Sequence, residues 1–140
     1  MERKDIGIKV KEPGAACTDA SCPFHGRLSV RGRVFTGTVV SDRMAKTVNV
    51  EWTEMKKLPK YERYEKRRTK IKAHNPPCMN AREGDMVRIG ECRPLSKTKN
   101  FVVIENLGKV RAYALISEAL AESKFKQKKK VEEEKEDAAA

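Results

Sequence analysis

The sequence predicts an all-β domain in which five strands form a small closed or sandwiched sheet. Two observations carry this. Between Arg33 and Gly108 apolar and polar residues alternate in short runs, and Gly, Pro, Asn and Asp punctuate those runs as turn residues do. With 140 residues, 36% of them charged and 39% apolar, the chain has room for one domain with a modest core and loose ends. A large self-sufficient enzyme does not fit that arithmetic.

Residues 1–30 form an irregular N-terminal extension: charge, Pro13, Gly14, Pro23 and Cys succeed one another without a lasting period, and such a segment is expected to need a partner to order. The first strand runs from about Arg33 to Ser41, carried by Val34, Phe35, Val39 and Val40, and Asp42 to Lys46 forms the turn after it. The second, Thr47 to Thr53, places Val48, Val50 and Trp52 on one face, which assigns Trp52 to the core. A long basic connection follows. In the third strand Thr69, Ile71 and Ala73 alternate with an outer face of Lys70, Lys72 and His74, and Asn75-Pro76-Pro77 ends it because Pro cannot donate to a ladder. Gly84-Asp85 turns into a fourth strand with Val87 and Ile89 inward, broken at Arg93-Pro94-Leu95-Ser96. Phe101 to Ile104 is the least polar strand and is expected to be covered on both faces, with Asn106 and Gly108 as its stop. Beyond it, Leu115, Ile116, Ala119 and Leu120 recur at helical spacing and predict a short C-terminal helix. Lys124 to Ala140 reads as a charged, disordered tail. The domain organisation is therefore an extension over 1–30, a barrel over 31–109, and a helix with tail over 110–140.

The formal charge of +11 is unevenly placed. Both ends are close to neutral, and the seventeen residues from Lys56 to Lys72 carry nine cations (Lys56, Lys57, Lys60, Arg63, Lys66, Arg67, Arg68, Lys70 and Lys72) against two acids, Glu62 and Glu65. A solvated hairpin face would look similar. The interleaved Tyr61 and Tyr64 and the use of Arg at 63, 67 and 68 instead supply stacking and bidentate phosphate pairing, so a nucleic acid is the expected partner. A barrel with such a loop points to an oligonucleotide-binding (OB) fold.

Particular stretches narrow this further. Cys22-Pro-Phe-His-Gly26, Val30-Arg-Gly-Arg33, Gly37-Thr-Val-Val-Ser-Asp42 through Lys46-Thr-Val48, Lys72-Ala-His-Asn75 and above all the run from Gly84 to Lys99 resemble the family of small-subunit ribosomal protein seventeen in bacterial numbering, in its archaeal form, over about residues 22–109. The resemblance implies a five-stranded OB barrel and a primary binder of small-subunit ribosomal RNA that attaches early to its 5′ domain. It further implies RNA contacts from Arg43 and Lys46 in the first turn, from the basic connection, and from Arg93, Ser96, Lys97, Thr98 and Lys99. Arg31, Arg33 and His74 join the expected RNA-binding set. The expected partners are small-subunit ribosomal RNA and neighbouring small-subunit ribosomal proteins, without a membrane or a small-molecule substrate. The expected location is the small ribosomal subunit in the cytoplasm, since Met1 to Val10 contains no apolar signal region.

No enzyme activity and no cofactor are expected. A Cys–His nucleophile built on His25 or His74 lacks a recognisable orienting group. Cys17-x4-Cys22-x2-His25, with Cys78 as a fourth group, raises structural zinc, but the spacing misses the usual C-x2-C knuckle, and Cys78 and Cys92 do not form one either. The expectation is therefore idle or buried thiols, no metal and no disulfides. Two other readings stay open on these residues: a free-standing single-strand binder or RNA chaperone, and a zinc-stabilised protein-interaction module.

Overall fold

The computed structural model describes residues 6–11, 13–111, 113 and 115. Its strands are β1 (Val30–Met44), β2 (Thr47–Leu58), β3 (Arg63–His74), β4 (Asp85–Ser96) and β5 (Lys99–Lys109), with a 3₁₀ turn at Pro59–Tyr61 between β2 and β3. Antiparallel pairing joins β1 to β2 and β4, β2 to β3, and β4 to β5, while a short parallel ladder between β3 and β5 closes the sheet into a barrel. Among the described residues the protein is an all-β, five-stranded sheet, as its alternation predicts, and consistent with an OB-like fold. Met1–Lys109 form one compact unit, and a second begins at Val110. The helix expected over Leu115 to Leu120 and the tail from Lys124 lie, Leu115 apart, outside the described residues. No helix among the described residues is long and apolar enough to cross a membrane.

β1 serves two neighbours: Val30 to Thr38 pair with β4 and Thr38 to Met44 with β2. Gly37 sits where it passes from one to the other. A Cβ there would lie 2.8 Å from the Glu51 carbonyl oxygen and 2.8 Å from Val50 Cγ1, so only glycine lets the two strands cross this closely.

The barrel interior is built from Val39, Val48, Val50, Ala73, Ala81, Val87, Ile89 and Val103, all essentially inaccessible. Val102 and Ile104 point outward from β5, where Leu28 and Cys92 bury them and Ile6, Ile8 and Val10 of the extension pack alongside. The both-sided cover expected for this strand is thus supplied by the chain's own N-terminal segment. The extension is irregular, as expected, yet much of it orders against the barrel, with Cys17, Cys22 and Phe24 buried in a third cluster.

Five local expectations are corrected. The basic connection is not a loop: β2 and β3 continue as a two-stranded ribbon in unbroken register from Thr47↔His74 to Leu58↔Arg63. A single αL residue at the tip, Glu62 at φ 49, lets the chain reverse after the 3₁₀ turn. The Asp42 to Lys46 turn shrinks to Ala45 and Lys46, with Lys46 at φ 50. Arg93 to Ser96 do not break β4, because Ser96 still pairs with Lys99 across the Lys97-Thr98 turn, and β5 runs past Asn106 and Gly108 to Lys109 with shifts in register. Trp52 is only half buried. It lies at the rim of the barrel, its ring stacked on Phe35 with centroids 4.8 Å apart, because the interior ends at Val50.

Candidate nucleic-acid interface

Residues paired across β2 and β3 share a face, so the ribbon's two sides can be read from its register. One side continues the barrel interior through Val50/Ile71 and Trp52/Thr69 into Glu54/Arg67, Lys56/Glu65 and Leu58/Arg63, where charges of both signs alternate. The opposite side carries Asn49/Lys72, Glu51/Lys70, Thr53/Arg68, Met55/Lys66 and Lys57/Tyr64. This second side is a stripe of Lys57, Lys66, Arg68, Lys70 and Lys72, with Tyr64 among them.

Glu51 organises the stripe. Its carboxylate meets Arg68 Nε at 3.3 Å and Lys70 Nζ at 3.4 Å, and it is itself largely shielded while both cations stay exposed. Such exposed pairs add little stability, so their effect is to hold the two heads side by side. At the ribbon's tip, Lys60 Nζ lies 5.4 Å from the centre of the Tyr61 ring, and the Tyr61 and Tyr64 rings remain open to solvent, as base stacking requires.

One open groove adjoins the stripe, and another lies at the β1–β2 turn. The first, of about 340 Å³, is lined by Lys70, Lys72, Thr98 and Asn100 over a floor of Ile71 and Phe101; the β4–β5 turn thus stands next to the cations of β3. The other, of about 430 Å³, lies between the β1–β2 turn and the loop after β3, and Arg43, Lys46, Asn75, Asn80 and Arg82 line it. Sequence reasoning missed Asn100 and Arg82, which sit in polar stretches that carry no periodic signal; only their proximity to named cations identifies them.

Most of the expected site residues are exposed: Arg31, Arg33, Arg43, Lys46, all nine cations of the ribbon, both tyrosines, Arg93, Ser96, Lys97 and Thr98. Lys99 is half buried and its ammonium donates to Thr47 Oγ1 at 3.2 Å. His74 is a correction. It lies on the outer side of β3 as the alternation predicts, but the N-terminal extension covers that end of the strand, and the side chain is 4% exposed with Nε2 3.0 Å from Asp19 Oδ2. A buried imidazole committed to a carboxylate cannot reach RNA. Burial raises the Asp19 carboxyl, but the Ser21 amide, His74 and Lys46 outweigh it and hold the group below its ordinary value. Burial lowers His74 in turn, against the pull of Asp19.

The three thiols and the imidazole weighed as metal ligands also come together. Cys17, Cys22, His25 and Cys78 place their ligand atoms within 4.8 Å of one another. Cys92 stands apart in the cluster beneath β5.

Residues 37–105 match the family described as Ribosomal protein S17. The small ribosomal subunit protein uS17 of Methanocaldococcus jannaschii is 57% identical over 110 residues, 79% of this chain and 94% of that protein. The uS17 of Methanopyrus kandleri is 64% identical over 104 residues, 74% and 88% of the two chains, and that of Methanospirillum hungatei is 59% identical over 102 residues, 73% and 94%. The archaeal form named from its sequence motifs is therefore the right one, and the chain belongs to the ribosomal protein S17 family, whose members are structural proteins and not enzymes.

Proposed function

We propose that this protein is a component of the small ribosomal subunit that binds small-subunit ribosomal RNA directly, as a primary binder of its 5′ domain, and sits among neighbouring ribosomal proteins. The OB barrel, over residues 31–109, is the RNA-binding part; the extension over 1–30 and the segment over 110–140 are its attachments. The observation that carries this reading is the one-sided stripe of cations on the β2–β3 ribbon, continued by the β4–β5 turn.

The mechanism is electrostatic. Bringing RNA helices together costs repulsion between their backbones, and cations fixed on a rigid sheet lower that cost for one arrangement of the strands. The stripe spaces its positive heads along a strand, with side chains on one face recurring at about 6.6–6.8 Å, close to the spacing of phosphates along an extended backbone. Arg93, Ser96, Lys97 and Thr98 add donors for phosphate and 2′-hydroxyl oxygens beside it.

The test is a chemical footprint of the purified chain on protein-free small-subunit RNA, with a poly-pyrimidine strand as competitor. Protection confined to a defined part of the 5′ domain and resistant to the competitor is the expected result. Equal affinity for the unstructured strand would overturn it in favour of a general single-strand binder.

A further inference from the structure

We propose that Cys17, Cys22, His25 and Cys78 form a structural zinc site that clips the N-terminal extension to the barrel. The distances fit a tetrahedral ion. With Zn–S near 2.3 Å and Zn–N near 2.0–2.1 Å, the edges of a regular tetrahedron are about 3.8 Å between sulfurs and about 3.6 Å between sulfur and nitrogen. Here Cys22 Sγ lies 3.6 Å from Cys78 Sγ, and His25 Nδ1 lies 3.4 Å from Cys17 Sγ and 3.6 Å from Cys22 Sγ. Four protein ligands leave no open coordination position, which marks a structural centre and not a catalytic one.

The backbone around these residues is built to hold them. Cys22-Pro-Phe-His25 keeps the two-residue spacing of a zinc knuckle, with imidazole in the second position. Its turn is closed by Gly26 N–H donating to the Cys22 carbonyl at 3.0 Å and Arg27 N–H to the Ala20 carbonyl at 3.1 Å. A Cβ on residue 26 would lie 2.4 Å from the Ala20 carbonyl oxygen, so the turn admits only glycine. On the barrel side, the Asn75 side chain clamps the loop that carries Cys78, donating to the Ala81 carbonyl and accepting from the Ala81 amide.

The sulfurs have the surroundings that metal thiolates require. Cys17 and Cys22 are buried, with Phe24, Ile6 and Val10 around them. Three adjacent thiolates repel one another in an apolar setting unless a divalent cation lies between them, and such a cation removes their protons outright. A disulfide between Cys22 and Cys78 would satisfy two of the thiols and leave Cys17 and His25 without a role.

The test uses the full chain, purified under reducing conditions without chelator, and measures metal per chain. One zinc is expected in the wild type and in Cys92→Ser, and none in Cys78→Ser. Because a Cys variant could lose its fold, His25→Cys is the second probe: it is expected to keep one zinc. Loading with Co²⁺ should give tetrahedral absorption bands with thiolate charge transfer in the wild type and stronger charge transfer in His25→Cys. A folded, reduced wild-type chain that takes up neither zinc nor Co²⁺ overturns the site, as does a metal-free chain isolated with a Cys22–Cys78 disulfide. Retention of full zinc in folded Cys78→Ser would equally remove Cys78 from it.

Discussion

His74 Nε2 lies 3.0 Å from Asp19 Oδ2, joining the last residue of β3 to the N-terminal extension across 55 positions of sequence. The neutral imidazole donates to the ionised carboxylate, and Lys46 stands 3.8 Å from the same oxygen. Asp19→Ala leaves a buried donor unpaired, so it should cost about 1–3 kcal/mol of stability in urea unfolding. An unchanged midpoint would mean the extension is not fastened at this point.

The same pair has a pH signature. Burial lowers His74 below its ordinary 6.5, Asp19 opposes this, and Lys99 adds to it; Lys46 is the other charge on the site through Asp19. Because the folded state takes the proton less readily than the unfolded one, this contribution is complete above about pH 6.5 and declines as pH falls below it. Asp19, held below 3.8, stays ionised throughout that range. Wild type should therefore lose more stability than His74→Gln between about pH 7 and pH 5. Equal losses in the two proteins would exclude His74 as the source.

The two sides of the ribbon should differ in RNA binding. Replacing Arg68 and Lys70 with Ala removes two heads from the cationic stripe and should flatten the log–log salt dependence of RNA affinity by about one to two units. Arg67→Ala, on the mixed-charge side opposite Glu54, should change it less. Glu51→Gln frees both stripe cations from their carboxylate and should leave affinity equal or higher. Slopes that move only with Arg67 would reverse the assignment of faces.

Ile89 should matter more to folding than Trp52. Ile89 is fully buried in the barrel interior, and truncation to Ala should cost about 2–5 kcal/mol. Trp52 is half exposed at the rim and stacks on Phe35, so Trp52→Ala should cost about 1–3 kcal/mol, below the range for a fully buried aromatic. Chemical denaturation of both variants decides it.

Gly37→Ala should destabilise by about 1–3 kcal/mol through overpacking, since the new methyl meets the Glu51 carbonyl and the Val50 side chain. Gly7→Ala gives the contrast for space, because nothing lies within 4 Å of a Cβ there, although its φ of 71 adds strain of its own. A folded Gly37→Ala protein of normal stability would show that β1 can shift at its crossing.

The parts of this fold that could be read from the sequence are those where periodicity and burial coincide. Val48 and Val50 alternate and are buried; Val102 to Ile104 are unbroken and covered on both faces. The ribbon is hidden in the sequence because Met55 to Arg68 are so charged that alternation carries no hydrophobic signal, although β pairing runs through them. Trp52 takes the inward face and packs against the core, but a period of two says which face a side chain takes and not how deeply it is buried. His74 and Asp19 meet through tertiary structure alone, and no local pattern announces a contact across so long a separation. The cation set and the family were legible for the opposite reason: charge density and motifs survive without any knowledge of which residues touch.

The barrel's last seam is its shortest ladder, three parallel registers that set Lys72 beside Lys99, Ala73 beside Phe101 and His74 beside Val102. Across this closure Lys99 donates to Thr47 Oγ1 at 3.2 Å, so a side chain reaching from β5 to β2 splices the shortest join in the barrel.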